Sequence, residues 1–134
     1  MASVIEVEGI GEVFGRKLQD AGIRTTAALL KKGASPEGRR QIEEMTGISH
    51  SQILRWVNHV DLFRIRGVAT QYSELLEAAG VDTVPELAQR VPENLHGALA
   101  ETNSNRKLVR RVPPLTSVAD WIRQAKELSR VVIY

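Results

Sequence analysis

The sequence predicts an all-α protein of about eight short helices. Apolar residues recur at spacings of three and four, as Phe14, Leu18 and Ala21 do, and residues so spaced lie on one face of a helix. Glycine, proline, serine and threonine separate these segments at the places where helices begin and end. Only residues 131–134 have the composition of a strand.

An internal repeat sets the order of the helices. Residues 7–33 align without a gap with residues 65–91. The identical pairs are of residue types that turns and helix packing restrict: Gly9/Gly67, Leu18/Leu76, Ala21/Ala79, Gly22/Gly80, Thr25/Thr83 and Leu29/Leu87. We therefore expect two copies of one unit, residues 1–64 and residues 65–134, packed together as one compact body.

The first copy begins with a tight turn. The turn Gly9-Ile10-Gly11 needs glycine because a side chain would strain its backbone. The helix that follows ends at Gly22, a C-terminal cap. Thr25 or Thr26 then caps a short helix that ends at Gly33.

The second copy predicts the same order of elements. Gly80 caps the first helix, and Thr83 with Glu86 has the spacing of a capping box at the start of the next. After each copy a further helix begins at a proline, Pro36 or Pro92, because proline suits the first turn of a helix.

Two longer helices are predicted over residues 50–63 and 117–128, each with a tryptophan, Trp56 or Trp121, on its apolar face. The first of them runs directly into the second hairpin, whereas only residues 1–8 precede the first hairpin. We therefore expect the helix over 117–128 to pack against the first hairpin and to close a pseudo-two-fold arrangement.

Composition limits the function. No apolar run approaches the roughly 20 residues that span a bilayer, the first eight residues do not resemble a signal peptide, and cysteine is absent. We therefore expect a cytoplasmic protein without disulfides. His50, His59 and His96 lack the spacing of metal ligands, and no nucleophile elbow or phosphate-binding loop is present. We expect no catalytic residue, no metal and no cofactor, and hence a protein that is not an enzyme.

Charge is informative through its distribution. The formal net charge is only +2, but residues 31–66 and 102–134 are basic, whereas residues 67–101 carry one basic and six acidic side chains. Cations in a loop can contact a phosphate or an acidic partner. A loop predicted over residues 104–116 holds such a basic cluster, Arg106, Lys107, Arg110 and Arg111.

The string formed by Gly9-Ile10-Gly11, Leu18, Ala21-Gly22-Ile23 and Leu29-Leu30 resembles the helix-hairpin-helix motif. It is most similar to the version in archaeal RecA-like recombinases and in the C-terminal domain of bacterial RNA polymerase α subunits. The whole chain also resembles a bacterial family of tandem helix-hairpin-helix proteins that carries a domain-of-unknown-function label.

This resemblance implies a SAM-like fold of two helix-hairpin-helix units. In DNA-binding members of that superfamily the hairpin amides and the following helix N-terminus hold a phosphate oxygen. Carried over by position, the nucleic-acid contacts are the hairpins and the cations beside them: Gly9, Ile10, Gly11, Arg16 and Lys17 in the first copy, and Arg64, Arg66, Gly67 and Val68 in the second.

The hairpin glycines have two interpretations, phosphate contact or the close packing of two helices. Acidic residues around the first hairpin, Glu6, Glu8 and Glu12, repel phosphate. In the second hairpin Ala69 stands where the pattern has glycine. These features favour the second interpretation, that the hairpin glycines allow two helices to pack closely.

The sequence thus predicts a binding protein and leaves two classes of partner open. One is duplex DNA, bound through its backbone without sequence preference by the hairpins and the basic cluster. The other is a protein, in which case the repeats are a scaffold. The partner would then meet the acidic segment 67–101 or the apolar segment 131–134. A membrane is not an expected partner.

Overall fold

The computed structural model describes residues 2–7 and 9–134 of the chain. Within these residues the regular structure is helical, which confirms the predicted fold class. It comprises a 3-10 helix (Val4–Glu6) and the α-helices α1 (Gly11–Asp20), α2 (Thr26–Gly33), α3 (Pro36–Thr46), α4 (His50–Leu62), α5 (Thr70–Ala78), α6 (Val84–Ala88), α7 (Pro92–Arg106) and α8 (Leu115–Glu127). Residues 131–134, with the composition of a strand, form none.

The chain divides into two compact units. The first unit contains Met1–Asp61 and Val131–Tyr134, and the second contains Leu62–Arg130. The last four residues were predicted to lie in the second copy, but they belong to the first unit. The reason is that Val132 is buried and that the Ile133 amide donates a hydrogen bond to the carbonyl of Ala34 at 2.7 Å.

Helix ends follow the glycine signals in the sequence. Gly22 has a φ of +88°, and the next amide, of Ile23, donates to the carbonyl of Leu18 at 2.8 Å. Gly80 has a φ of +95°, and the amide after it donates to the carbonyl of Leu76 at 2.8 Å. A left-handed residue followed by this backward bond terminates a helix, so both predicted caps are confirmed.

Helix starts are capped by hydroxyls, as predicted for Thr25 and Thr83. The hydroxyls of Thr25, Ser35 and Thr83 each accept a hydrogen bond from the amide three residues on, at 3.0 to 3.1 Å, and so cap α2, α3 and α6. The predicted capping box is only half formed, because the Glu86 carboxylate accepts from Arg90 at 2.9 Å.

The last helix, α8, packs against α6 and α7 of the second unit. The prediction that it packs on the first hairpin is therefore wrong. Trp121 fixes its place, since its ring lies 5.3 Å from that of Tyr72 in the same unit. Beside α1 in the first unit lies the 3-10 helix instead. There Val4 is fully buried and the side chain of Ile5 covers Gly15.

Each unit encloses one tryptophan. Trp56 of α4 is 1% exposed and its ring lies 5.3 Å from that of Phe14. Trp121 of α8 is 3% exposed. Both tryptophans, which were predicted on apolar helix faces, are core residues, and each packs close to the hairpin of its own unit.

Candidate nucleic-acid interface

The first hairpin contains a left-handed turn. Gly9 and Gly11 are exposed with φ of +89° and +67°, as the predicted tight turn requires. Ile10 between them is buried, and its amide donates to the carbonyl of Val7 at 3.0 Å. This amide is therefore already engaged within the turn, and the side chain serves the core.

The second hairpin is built in the same way. Gly67 is exposed with a φ of +97°, and Val68 is buried with its amide donating to the carbonyl of Ile65 at 3.1 Å. A Cβ on Gly67 would lie 2.8 Å from Nε1 of Trp121, closer than packing allows. At the first hairpin the corresponding distance, from Gly9 to Nε1 of Trp56, is an ordinary 3.8 Å. Close packing thus requires glycine at the second hairpin.

The cations predicted beside the first hairpin lie on the surface of α1. Arg16 and Lys17 are exposed, and the Lys17 ammonium stands 5.9 Å from the centroid of the Phe14 ring, within cation–π range. The structure adds a cation that the sequence did not single out, because Arg55 of α4 lies against Gly9. Of the three glutamates expected here, Glu6 and Glu12 are exposed, and Glu8 lies outside the described residues.

The cations beside the second hairpin have structural partners. Arg64 is half-buried and donates to the carbonyl of Ser129 at 3.1 Å. The backbone of Arg66 is held by the Gln124 side chain through two hydrogen bonds of 2.8 and 3.1 Å. Its guanidinium is exposed near Asp120. The pKa of the Asp120 carboxyl lies below its ordinary value, chiefly because Arg123 and Gln124 donate hydrogen bonds to it and to a smaller extent because Arg66 is near.

The basic cluster lies partly outside the predicted loop. Helix α7 extends to Arg106, so this cation is helical and the loop begins at Lys107. Lys107 caps the helix with a φ of +53°, the one positive φ of a non-glycine residue in the described part of the chain. Arg106 and Lys107 lie at the negative end of the α7 dipole, where cations stabilise a helix. For these two residues, helix stabilisation is the alternative to contact with a partner.

The loop of residues 107–114 is firmly held. The side-chain amide of Asn103 donates to the carbonyl of Val109 at 3.0 Å and accepts from its amide at 2.9 Å. Val109 itself is buried, and the Tyr72 hydroxyl donates to the carbonyl of Arg111 at 3.4 Å. The backbone that carries the cations is therefore fixed before any partner arrives.

Three of the four cations meet the helix that follows the second hairpin. Lys107, Arg110 and Arg111 line an open groove of about 610 Å³, together with residues from the first turn of α5, Gln71 and Tyr72. All three cations are exposed. The groove therefore gathers three exposed positive charges within the second unit.

The first turn of α5 adds a weaker attraction for anions. Ala69, the N-cap of α5, provides no side-chain hydrogen bond, whereas the Thr83 hydroxyl caps α6. The first turn of α5, which is the positive end of its dipole, lines the groove beside the three cations. Sequence reasoning found the cations and the hairpin separately. It missed Gln71, Tyr72 and Asn103, because no sequence pattern relates the loop to α5.

The residues proposed for a protein partner are only partly available. In the acidic segment 67–101, Glu86 is paired with Arg90, whereas Asp82, Glu93 and Glu101 are exposed. Segment 131–134 is seated on the first unit.

The described part of the chain contains neither a metal-binding cluster nor a membrane-spanning helix. No three histidine, aspartate or glutamate residues there lie close enough to hold a metal ion. None of its helices is long and apolar enough to cross a membrane.

Comparison with known proteins gives one family. The model of the family described as Domain of unknown function (DUF4332) matches residues 8–128. Comparisons with curated proteins and with solved structures give no match.

Proposed function

The chain belongs to the family described as Domain of unknown function (DUF4332), and we propose that it is a non-catalytic nucleic-acid-binding protein of the cytoplasm. It binds the backbone of duplex DNA without sequence preference. Its two units are diverged helix-hairpin-helix copies, of which the second makes the main contact. That the chain is not an enzyme and that it is cytoplasmic are parts of the same proposal.

The observation that carries this proposal is the groove in the second unit. Lys107, Arg110 and Arg111 converge there on the start of α5, directly after the hairpin Gly67-Val68-Ala69. Phosphate groups of a duplex are the ligands that such cations bind, and each contact releases condensed counterions. The rigid loop lowers the entropy lost on binding, because its backbone is already ordered.

The residues of the groove favour contact with the DNA backbone over contact with the bases. Lysine and arginine contacts to phosphate carry no sequence information. The side-chain amide of Asn103, which could otherwise read a base, is engaged by the backbone of Val109. Both tryptophans are buried, so neither is available as a stacking platform for a single strand.

The test is fluorescence anisotropy of a labelled, random-sequence DNA duplex titrated with the full chain. Three phosphate contacts predict a slope of about −2.7 in log K against log salt, or about a 40-fold loss of affinity between about 50 mM and about 200 mM salt. The variant Lys107→Gln/Arg110→Gln/Arg111→Gln should lose most of the binding and flatten this slope.

A matched control removes the same charge elsewhere. Lys31, Lys32 and Lys126 are exposed and lie outside the groove. Their triple replacement by glutamine should weaken binding by a small factor only. Equal losses in the two triple variants would mean that binding follows net charge and not the groove. No binding of the wild-type chain at about 50 mM salt in the micromolar range would reject the proposal, since backbone contacts are strongest at low salt.

A protein-interaction adaptor is the second candidate. The exposed carboxylates of Asp82, Glu93 and Glu101 favour it, because a basic partner could contact them. This candidate predicts binding to a labelled polylysine peptide that falls when the three carboxylates are changed to amides. It also predicts no effect of the groove variant on that binding.

A further inference from the structure

Residues 131–134, the returning segment, occupy a defined site on the first unit. The chain leaves the first unit after Asp61 and comes back to it at Val131. The Ile133 amide donates to the carbonyl of Ala34, and the Ile133 carbonyl accepts from Arg39, each at 2.7 Å. Ile133 is thus held through both its amide and its carbonyl, the first by a backbone carbonyl at the end of α2 and the second by an arginine side chain.

Arg39 is the polar anchor of this site. It is 1% exposed, and a second nitrogen of its guanidinium donates to the carbonyl of Gly33 at 2.8 Å. Burial lowers the pKa of Arg39, because desolvation disfavours the charged form. When the segment leaves, the nitrogen that donates to Ile133 exchanges a peptide carbonyl for water. The Gly33 carbonyl still holds the guanidinium in place, so the site offers a preordered charged donor to a peptide carbonyl.

The side chains of the segment alternate between buried and exposed positions. Val132 is 2% exposed, Ile133 is 61% exposed, and the Tyr134 hydroxyl donates to the side-chain oxygen of Asn58 at 2.7 Å. Asn58 is itself buried. The site thus accepts a β-branched apolar side chain and, two residues later, a tyrosine. We call Gly33, Ala34, Arg39 and Asn58 the acceptor site.

We propose that the acceptor site binds extended peptide segments and that, besides its own segment, it takes residues 131–134 of a second copy of the chain. Exchange between identical copies preserves every contact, so it costs little beyond association. The connection is suited to exchange, because Ser129 and Arg130 are exposed and belong to no helix. A segment of four residues at one end of a unit can open locally without global unfolding. This proposal is independent of DNA binding.

The experiment uses the full chain with Val132→Asp, which should expel its own segment by placing a charge where Val132 is buried. The probe is a fluorescein-labelled peptide of residues 129–134, and the control peptide carries the same Val132→Asp change. We expect the variant chain to bind the probe at least about tenfold more tightly than the wild-type chain, because its own segment no longer competes. The control peptide should bind neither chain.

Two results would overturn the peptide site: a folded Val132→Asp chain that binds no probe, or equal binding of probe and control peptide. If that chain does not fold, Tyr134→Phe takes its place, since it removes the hydroxyl that donates to Asn58 and should tighten probe binding several-fold.

Exchange between copies is measured separately, by light scattering of the wild-type chain over a range of concentrations. A dimer that grows with concentration and is absent from the Val132→Asp chain supports exchange. A wild-type chain that stays monomeric up to millimolar concentration refutes exchange.

Discussion

Among the glycines of the two hairpins, Gly67 should tolerate an added Cβ least, and Gly67→Ala tests this. The added methyl group meets two obstacles. The φ of +97° is unfavourable for any residue with a Cβ, and the new carbon would lie 2.8 Å from Nε1 of the buried Trp121. Gly22→Ala is the matched control, because Gly22 has a φ of +88° and no atom within 4 Å of an added Cβ.

The two costs can be separated in magnitude. A left-handed alanine costs about 1–2 kcal/mol, partly offset by about 0.4–1 kcal/mol because alanine restricts the unfolded chain. Gly22→Ala should therefore lower the free energy of unfolding by about 1 kcal/mol. Gly67→Ala must also displace the indole, and overpacking of this kind adds about 1–3 kcal/mol. We expect a total loss of about 2–4 kcal/mol.

Urea unfolding of the three proteins provides the measurement. Tryptophan fluorescence reports it, with Trp121 in the affected unit. With a slope of about 1–3 kcal/mol per molar urea, Gly67→Ala should shift the midpoint clearly further than Gly22→Ala. Combining Gly67→Ala with Trp121→Phe removes the indole nitrogen, so the double variant should lose less than the sum of the single losses. Equal destabilisation by the two glycine variants would refute the argument that Trp121 requires glycine at the hairpin.

Two further predictions concern the basic loop and Asp120. Asn103→Ala removes both hydrogen bonds that hold Val109. It should cost about 1–3 kcal/mol in the free energy of unfolding, measured by urea unfolding. It should also weaken duplex binding, and unchanged affinity would show that loop order does not matter. Asp120 has a lowered pKa, first through its hydrogen bond from Arg123. Its stabilising effect is therefore present above the unfolded pKa and lost as the pH falls through the lower folded pKa. Acid unfolding of the wild-type chain should show this dependence and Asp120→Asn should lack it; coinciding curves would contradict the assignment.

Local structure was predictable because its causes lie within a few residues. A helix ends where Gly22 or Gly80 can turn left-handed, and it begins where a hydroxyl such as that of Thr25 caps an amide three residues on. The tryptophans were predictable as core residues from helical periodicity alone. These interactions need no knowledge of how distant segments meet.

Long-range placement was not predictable in the same way. Both α8 and segment 131–134 are compatible with either unit by composition, and the sequence favoured the wrong unit for each. The position of α8 depends on the contact between Trp121 and Gly67, which are 54 residues apart in the sequence. The position of segment 131–134 depends on the hydrogen bond from buried Arg39 to Ile133, 94 residues away.

The sequence by itself determined that the chain is all-helical, where most of its helices begin and end, and which residues are cationic. Only the tertiary structure decided that Lys107, Arg110 and Arg111 share a groove with the start of α5. It also decided that residues 131–134 lie on the first unit. The physical reason is range: capping bonds and helical periodicity act within one or two turns, whereas a groove exists only after buried side chains such as Val109 have fixed distant segments together.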